Sequence, residues 1–265
     1  MITTTSADGT TVLAADEGQG PAILVLHPGM DDGKSWGKVA GLLATRFRVV
    51  RLHRRQYRLD LTTGSPFSIA QEVDDVLAVA KMIGEPVLLV GHSSGGVVAL
   101  EALLASPSTF AGAVLYEPAL VIGPPLGGEA VKQARVALAA GKPGKAMAIW
   151  LRDVIRLPPW LARLGGAYVT VSPRYRALLP RQLDDNDALD QLGVRLDAYT
   201  RIETPTVLLT GDRSPAHLGE RLDALARRLP HAEKVVLHGQ GHAANQTASG
   251  EVARVIETLA DRVLR

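Results

Sequence analysis

Apolar runs of strand length alternate with segments of helical period along most of this chain. Residues 22–27 (AILVLH) are continuously apolar up to the closing histidine and follow the turn residues Gly18, Gly20 and Pro21, which predicts a buried strand. A helix is expected from Ser35, with Val39, Leu42 and Leu43 on its inner face, and residues 47–52 read as the next strand. Ser68-Ile69-Ala70-Gln71 is a capping box that opens a helix. Its apolar stripe runs Ile69, Val73, Val76, Leu77, Ala80 and Ile83, one face at helical spacing, and Gly84 ends it. Pro86 then leads into a strand over 87–90. A helix over 95–105 is apolar nearly all round, as expected near the centre of a fold, and 111–116 reads as another strand.

From 118 to 202 the rhythm changes. Helical stretches at 132–140 and 145–155 are interrupted by Gly and Pro, and no strong strand signal occurs. After Pro205 the alternation returns: a strand at 207–210, a helix over 215–229, a strand at 234–237 and a last helix near 250–263. Strands that alternate with helices imply an α/β fold, a mostly parallel central sheet with helices on both faces. The expected organisation is one core domain, 1–117 and 203–265, carrying a helical cap insertion at 118–202.

Composition narrows the class. The chain has 265 residues, 46% of them apolar, enough for one well-filled α/β domain. No apolar run reaches the length that crosses a bilayer, and the first residues lack the basic-then-apolar order of a secretion signal. A cytoplasmic protein without membrane contact is expected. Cysteine is absent, which rules out disulfides, thiolate metal sites and cysteine nucleophiles. Net charge is only +2, yet Arg51, Arg54, Arg55 and Arg58 cluster around His53 and Tyr57. No nucleic-acid motif surrounds this cluster. It reads as a solvated loop, or as one lining a pocket for an anionic group, and no nucleic-acid partner is expected.

The strand at 87–90 runs into Gly91-His92-Ser93-Ser94-Gly95-Gly96, and a helix follows. This is Gly-x-Ser-x-Gly in a strand–turn–helix setting. The tight turn requires glycine at 91 and 95 and lifts the Ser93 hydroxyl above the end of the sheet. The N–H groups and positive dipole end of the following helix point to the same place, so Ser94 N–H can meet an oxyanion formed on Ser93. The bland alternative is a Gly-rich turn that merely packs. His92 reads as a packing and positioning residue beside the turn.

Motif and alternation together resemble the α/β-hydrolase family over almost the whole chain. The resemblance implies a catalytic order of serine, acid, histidine. His27-Pro28-Gly29-Met30 is similar to the family's oxyanion loop, with Trp36 matching a tryptophan often found downstream. Proline has no N–H, so the second oxyanion donor falls to Gly29 or to Met30. The family's Asp-x-Arg-Gly turn is missing from 51–58. Gly239-Gln240-Gly241-His242, between the last strand and the last helix, occupies the family's place for the general base. His238 reads as a wall residue.

The acid has two contenders. Where the family often has Gly-x-x-Asp, this chain has Gly211-Asp212-Arg213-Ser214, with serine in the acid's place and better read as a helix N-cap before Pro215. Glu117, at the end of the strand 111–116, matches a second solution within the family and is favoured over Asp212.

The resemblance therefore implies a serine hydrolase that cleaves a carboxylic ester or lactone of a small molecule through an acyl-enzyme. Ser93 is the expected nucleophile, His242 the base and Glu117 the acid, with Gly29 and Ser94 as the oxyanion hole and no metal or cofactor. Carbon–carbon bond hydrolysis, acyl transfer and lyase chemistry stay open on the same fold, as does a non-catalytic binding module. In the helical insertion, Trp150, Trp160, Tyr168, Tyr175 and Tyr199 are expected to belong to its core more than to an acyl pocket.

Overall fold

The computed structural model describes residues 1–61 and 67–264. In chain order, β1 (Ile2–Thr5), β2 (Thr11–Glu17) and β3 (Ala22–Leu26) lead through a 3-10 turn to α1 (Gly37–Leu43) and β4 (Arg48–His53). After a second 3-10 turn (Arg55–Tyr57) come α2 (Ile69–Ile83), β5 (Val87–His92), α3 (Ser94–Ala105) and β6 (Phe110–Tyr116). The next stretch is helical: α4 (Gly128–Ala139), α5 (Pro143–Asp153), α6 (Pro159–Val171), α7 (Pro173–Leu192) and α8 (Leu196–Tyr199). Then follow β7 (Thr206–Gly211), α9 (Ala216–Ala226), β8 (Ala232–Leu237), α10 (Ala244–Thr247) and α11 (Ser249–Val263).

The strands form one eight-stranded sheet in the order β1-β2-β4-β3-β5-β6-β7-β8. β2 runs antiparallel to both β1 and β4, and the remaining neighbours are parallel. Side-chain alternation divides the core into two layers. From β3, Leu24 and Leu26 enter the cluster under α2 and α3, while Ile23 and Val25 enter the opposite one, shared with α1 and α11. Continuous apolar runs follow from burial on both faces.

The capping box forms as expected. Gln71 N–H donates to Ser68 Oγ at 3.2 Å, Ser68 N–H donates to Gln71 Oε1 at 3.0 Å, and Gly84 closes α2 in the left-handed conformation. Three expectations need correction. Leu42 does not face the core but is exposed, because α1 presents the face of Val39, Ala40 and Leu43 to the sheet and leaves Leu42 at its outer edge. The hairpin β1–β2 has no counterpart in the sequence reading. Its β-branched residues and the alternation of Val12 and Ala14 were the available signal, weakened by polar neighbours.

The third correction concerns the arginines. Arg54 and Arg55 are neither solvated nor open to a ligand. Arg54 is sealed between Glu72 and Asp185 at 2.6 and 3.0 Å, and Arg55 pairs with Asp75 and Asp8. The cluster's charge is largely neutralised from within, and Arg51 and Arg58 join it by pairing with Glu17 and Asp60.

Helices α4–α7 share an apolar cluster of their own, built from Val131, Met147, Trp150, Leu179 and Leu183 among others. Among the described residues no helix is long and apolar enough to cross a membrane.

Candidate active site

The turn after β5 forces Ser93 into a conformation that side chains avoid, φ 54° and ψ −123°. Ser93 N–H donates to the Tyr116 carbonyl at 2.9 Å, and Ala119 N–H donates to the Ser93 carbonyl at 3.1 Å. The turn is thereby pinned to the end of β6. Glycine at its flanks is a packing requirement. A Cβ at Gly95 would lie 2.5 Å from the His27 carbonyl oxygen, and one at Gly91 would lie 2.7 Å from Ala99 Cβ.

His242 stands on the loop between β8 and α10. Its Nδ1–H donates to Glu117 Oε2 at 2.5 Å, which leaves Nε2 as the other ring nitrogen. Glu117 is fully buried, and its own backbone adopts φ 42° as it leaves β6. The second carboxylate oxygen accepts from Thr210 Oγ1 at 2.7 Å and from Gly211 N–H at 3.0 Å. Burial works to raise the Glu117 pKa. The bond and charge of His242, with help from Gly211 N–H, outweigh it and hold the carboxyl below its ordinary range.

Asp212 lies elsewhere. Its carboxylate accepts from Gly239 N–H at 2.7 Å and from His238 Nδ1 at 3.1 Å. His238 is 88% exposed and does not line the cavity, so its expected place in the wall is incorrect. His92 packs as expected: it stacks on Tyr116 at 4.4 Å and lies 4.7 Å from the His242 ring. Complete burial pushes its pKa well down, so it remains neutral. Tyr116 adds a second brace, its hydroxyl donating to the Gly241 carbonyl and accepting from Ala244 N–H.

Ser93, Ser94, Gly29 and His242 all border one cavity of about 560 Å³. Met30 does not line it; its backbone has φ 54° and its side chain packs on the helical layer. Gly29 is held closely, since a Cβ there would collide with Gln182 and with the Tyr57 hydroxyl. Behind this loop, His27 Nδ1–H donates to the Pro28 carbonyl at 2.8 Å, and Nε2 accepts from Arg54 N–H at 3.1 Å. Burial above all, aided by the Arg54 charge against that of Asp31, pushes the His27 pKa down to about 4. The Arg54 guanidinium donates to Ser94 Oγ at 2.7 Å and to the His27 carbonyl at 3.2 Å, tying α3 to the loop.

The helical segment contributes to the cavity lining. Of the five aromatics singled out there, only Trp150 lines the cavity. Its Nε1–H donates to Asn186 Oδ1 at 2.7 Å. Trp160 and Tyr168 are exposed, Tyr175 packs on the helical core, and Tyr199 is buried beneath α3. Sequence reasoning missed Gln182 and Asn186 on α7, His217 and Arg221 on α9, and Asn245, all of which line the cavity. A signal existed in the spacing. Gln182, Asp185 and Asn186 form a polar stripe at i, i+3 and i+4, and all three are buried.

The model of the alpha/beta hydrolase family matches residues 23–255. No curated protein matches the sequence. Among solved structures, an alpha/beta hydrolase from Sphaerobacter thermophilus is similar with a TM-score of 0.80 at 24% identity, covering 96% of this chain and 99% of that one. A thermophilic esterase from Thermogutta terrifontis, solved with malate bound, has a TM-score of 0.80 at 19% identity, covering 100% and 99%. Est816, described as an N-acyl homoserine lactone degrading enzyme, has a TM-score of 0.73 at 23% identity, covering 96% and 99%. At these identities the likeness is one of fold.

Proposed function

This chain belongs to the alpha/beta hydrolase family, and on that premise we propose that it is a serine hydrolase of small-molecule carboxylic esters or lactones. The observation that carries this reading is the His242–Glu117 hydrogen bond at the edge of the cavity that Ser93 also borders. In the proposed reaction the Ser93 hydroxyl attacks the substrate carbonyl while His242 Nε2 takes its proton. Glu117 keeps the proton on Nδ1, so Nε2 is the basic nitrogen, and stabilises the imidazolium that forms. The N–H groups of Gly29 and Ser94 receive the negative charge on the carbonyl oxygen. Ser94 opens α3 and its N–H has no carbonyl to meet within the helix, so that donor is set in advance. His242 returns the proton to the leaving alcohol, and water then releases the acid by the same steps.

The segment 118–202 is proposed to be a cap over a core formed by 1–117 and 203–265. Its separate apolar cluster and its share of the cavity lining support this division. An esterase and a lactone-degrading enzyme among the similar structures agree with the reading.

Labelling with a fluorophosphonate probe tests it. The parent protein should take up the probe, and a folded Ser93→Ala variant should not. A parent that stays unlabelled and hydrolyses neither p-nitrophenyl acetate nor short lactones defeats the reading.

A further inference from the structure

Four arginines are buried among the described residues, and three of them face carboxylates: Arg54, Arg55 and Arg58. Arg221 on α9 is the exception. No carboxylate oxygen of the described residues lies within 4.0 Å of its guanidinium. Its hydrogen bonds run to neutral acceptors. Nε–H donates to the Leu120 carbonyl at 2.8 Å, and one terminal nitrogen donates to the His217 carbonyl at 2.8 Å and to His217 Nδ1 at 2.9 Å. His217 Nε2–H in turn donates to the Ile155 carbonyl at 3.0 Å. That bond keeps the proton on Nε2 and makes Nδ1 an acceptor, so a neutral imidazole clamps the arginine.

The other terminal nitrogen of Arg221 has no hydrogen-bond partner among the described residues, and the residue lines the cavity that Ser93 and His242 border. A guanidinium keeps its charge under all ordinary conditions. Holding one out of water without a counter-ion is costly, and the cost falls when an anion is bound. Burial, with the Arg156 charge, pushes the Arg221 pKa below its ordinary value against the pull of Glu220. The cavity wall also includes Leu126, Leu151, Val154, Leu157 and Leu218, which suit a methylene chain. Arg213 also borders the cavity but is exposed.

We propose that the free N–H groups of Arg221 bind a carboxylate at the end of the substrate remote from the reacting bond, so that the enzyme selects esters of acyl chains ending in a carboxylate. The identity of the reacting bond rests on the ester-hydrolase reading above; the anion site does not.

Methanol release from monomethyl esters of succinate, glutarate, adipate and suberate is compared with that from methyl esters of monocarboxylates of equal carbon number. At one chain length the charged ester should be favoured in kcat/KM by roughly tenfold or more, the worth of one charge-assisted hydrogen bond. Arg221→Gln should bring that ratio close to one, and Arg221→Lys should retain part of it. A parent ratio near one at every length, or a ratio unchanged in Arg221→Gln, overturns the proposal. A parent ratio near one overturns the proposal even where Arg221→Gln does not fold, and Arg221→Lys, with Arg213→Gln as the control that should keep the ratio, then assigns it to Arg221. Calorimetric titration with adipate and suberate separates this idea from the one beneath it. Binding by the parent that Arg221→Gln loses, with no ester turned over, upholds the anion site and defeats the ester reading. Absence of dicarboxylate binding to the parent at millimolar concentration, with neutral esters turned over, does the reverse.

Discussion

His242 and Glu117 lie 125 residues apart in the chain and are joined by a 2.5 Å hydrogen bond, and His242 borders the cavity that Ser93 also borders. The other candidate acid has no such link, because Asp212 is engaged with His238 and Gly239 N–H on the exposed side of the loop. Glu117→Gln is therefore expected to lower p-nitrophenyl acetate turnover by about a hundredfold or more, the scale of losing a correctly oriented base. Asp212→Asn, a change at an exposed site, should stay within about threefold. Steady-state kinetics on both variants checks the ranking, and the opposite order would remove Glu117 from the proposed mechanism.

Arg54 is fully sealed and holds four groups together: Glu72 on α2, Asp185 on α7, the Ser94 hydroxyl and the His27 carbonyl. Arg54→Met would leave two buried carboxylates without a counter-ion. The expected loss of stability is about 3–5 kcal/mol, read as a lower urea midpoint. Because the same residue ties α3 to the loop that carries Gly29, both of which the proposed mechanism uses, Arg54→Met assayed well below its own midpoint should also show reduced kcat. A variant with unchanged stability would mean that the network contributes nothing to the fold.

His27 carries a pH dependence of stability. Its pKa falls from 6.5 to about 4 on folding. Between those values the unfolded chain binds a proton that the native state refuses, so stability rises with pH through this window. The contribution is complete above the unfolded value and is lost as pH falls from there toward 4. His92, shifted in the same direction, adds to the effect. Urea unfolding at about pH 7.5 and pH 5 should differ by about 2 kcal/mol from His27 alone. His27→Gln should flatten the slope, and a parent with equal stability at both values would contradict the burial argument.

Much of the architecture was legible because its signals are local. The capping box at Ser68 and Gln71 is satisfied within one turn, and the apolar run of β3 reports burial on both faces without reference to any partner. The hairpin β1–β2 escaped notice because an edge of a sheet keeps polar residues on its open face, which dilutes the alternation. The arginines at 54 and 55 were misread for a different reason. A cluster of positive charge looks the same in sequence whether water or carboxylates from α2 and α7 surround it.

By itself the sequence determined the alternation of strands and helices from β3 to β6 and from β7 onward, the strained serine turn and the glycine-bounded loop that carries His242. Each of these depends on sterics and periodicity within a few residues. Only the tertiary structure decided which carboxylate meets the histidine, which arginines are neutralised, and which polar residues of α7 and α9 turn into the cavity. Those outcomes depend on contacts between segments far apart in the chain, where packing and desolvation set the partners and local pattern has no reach.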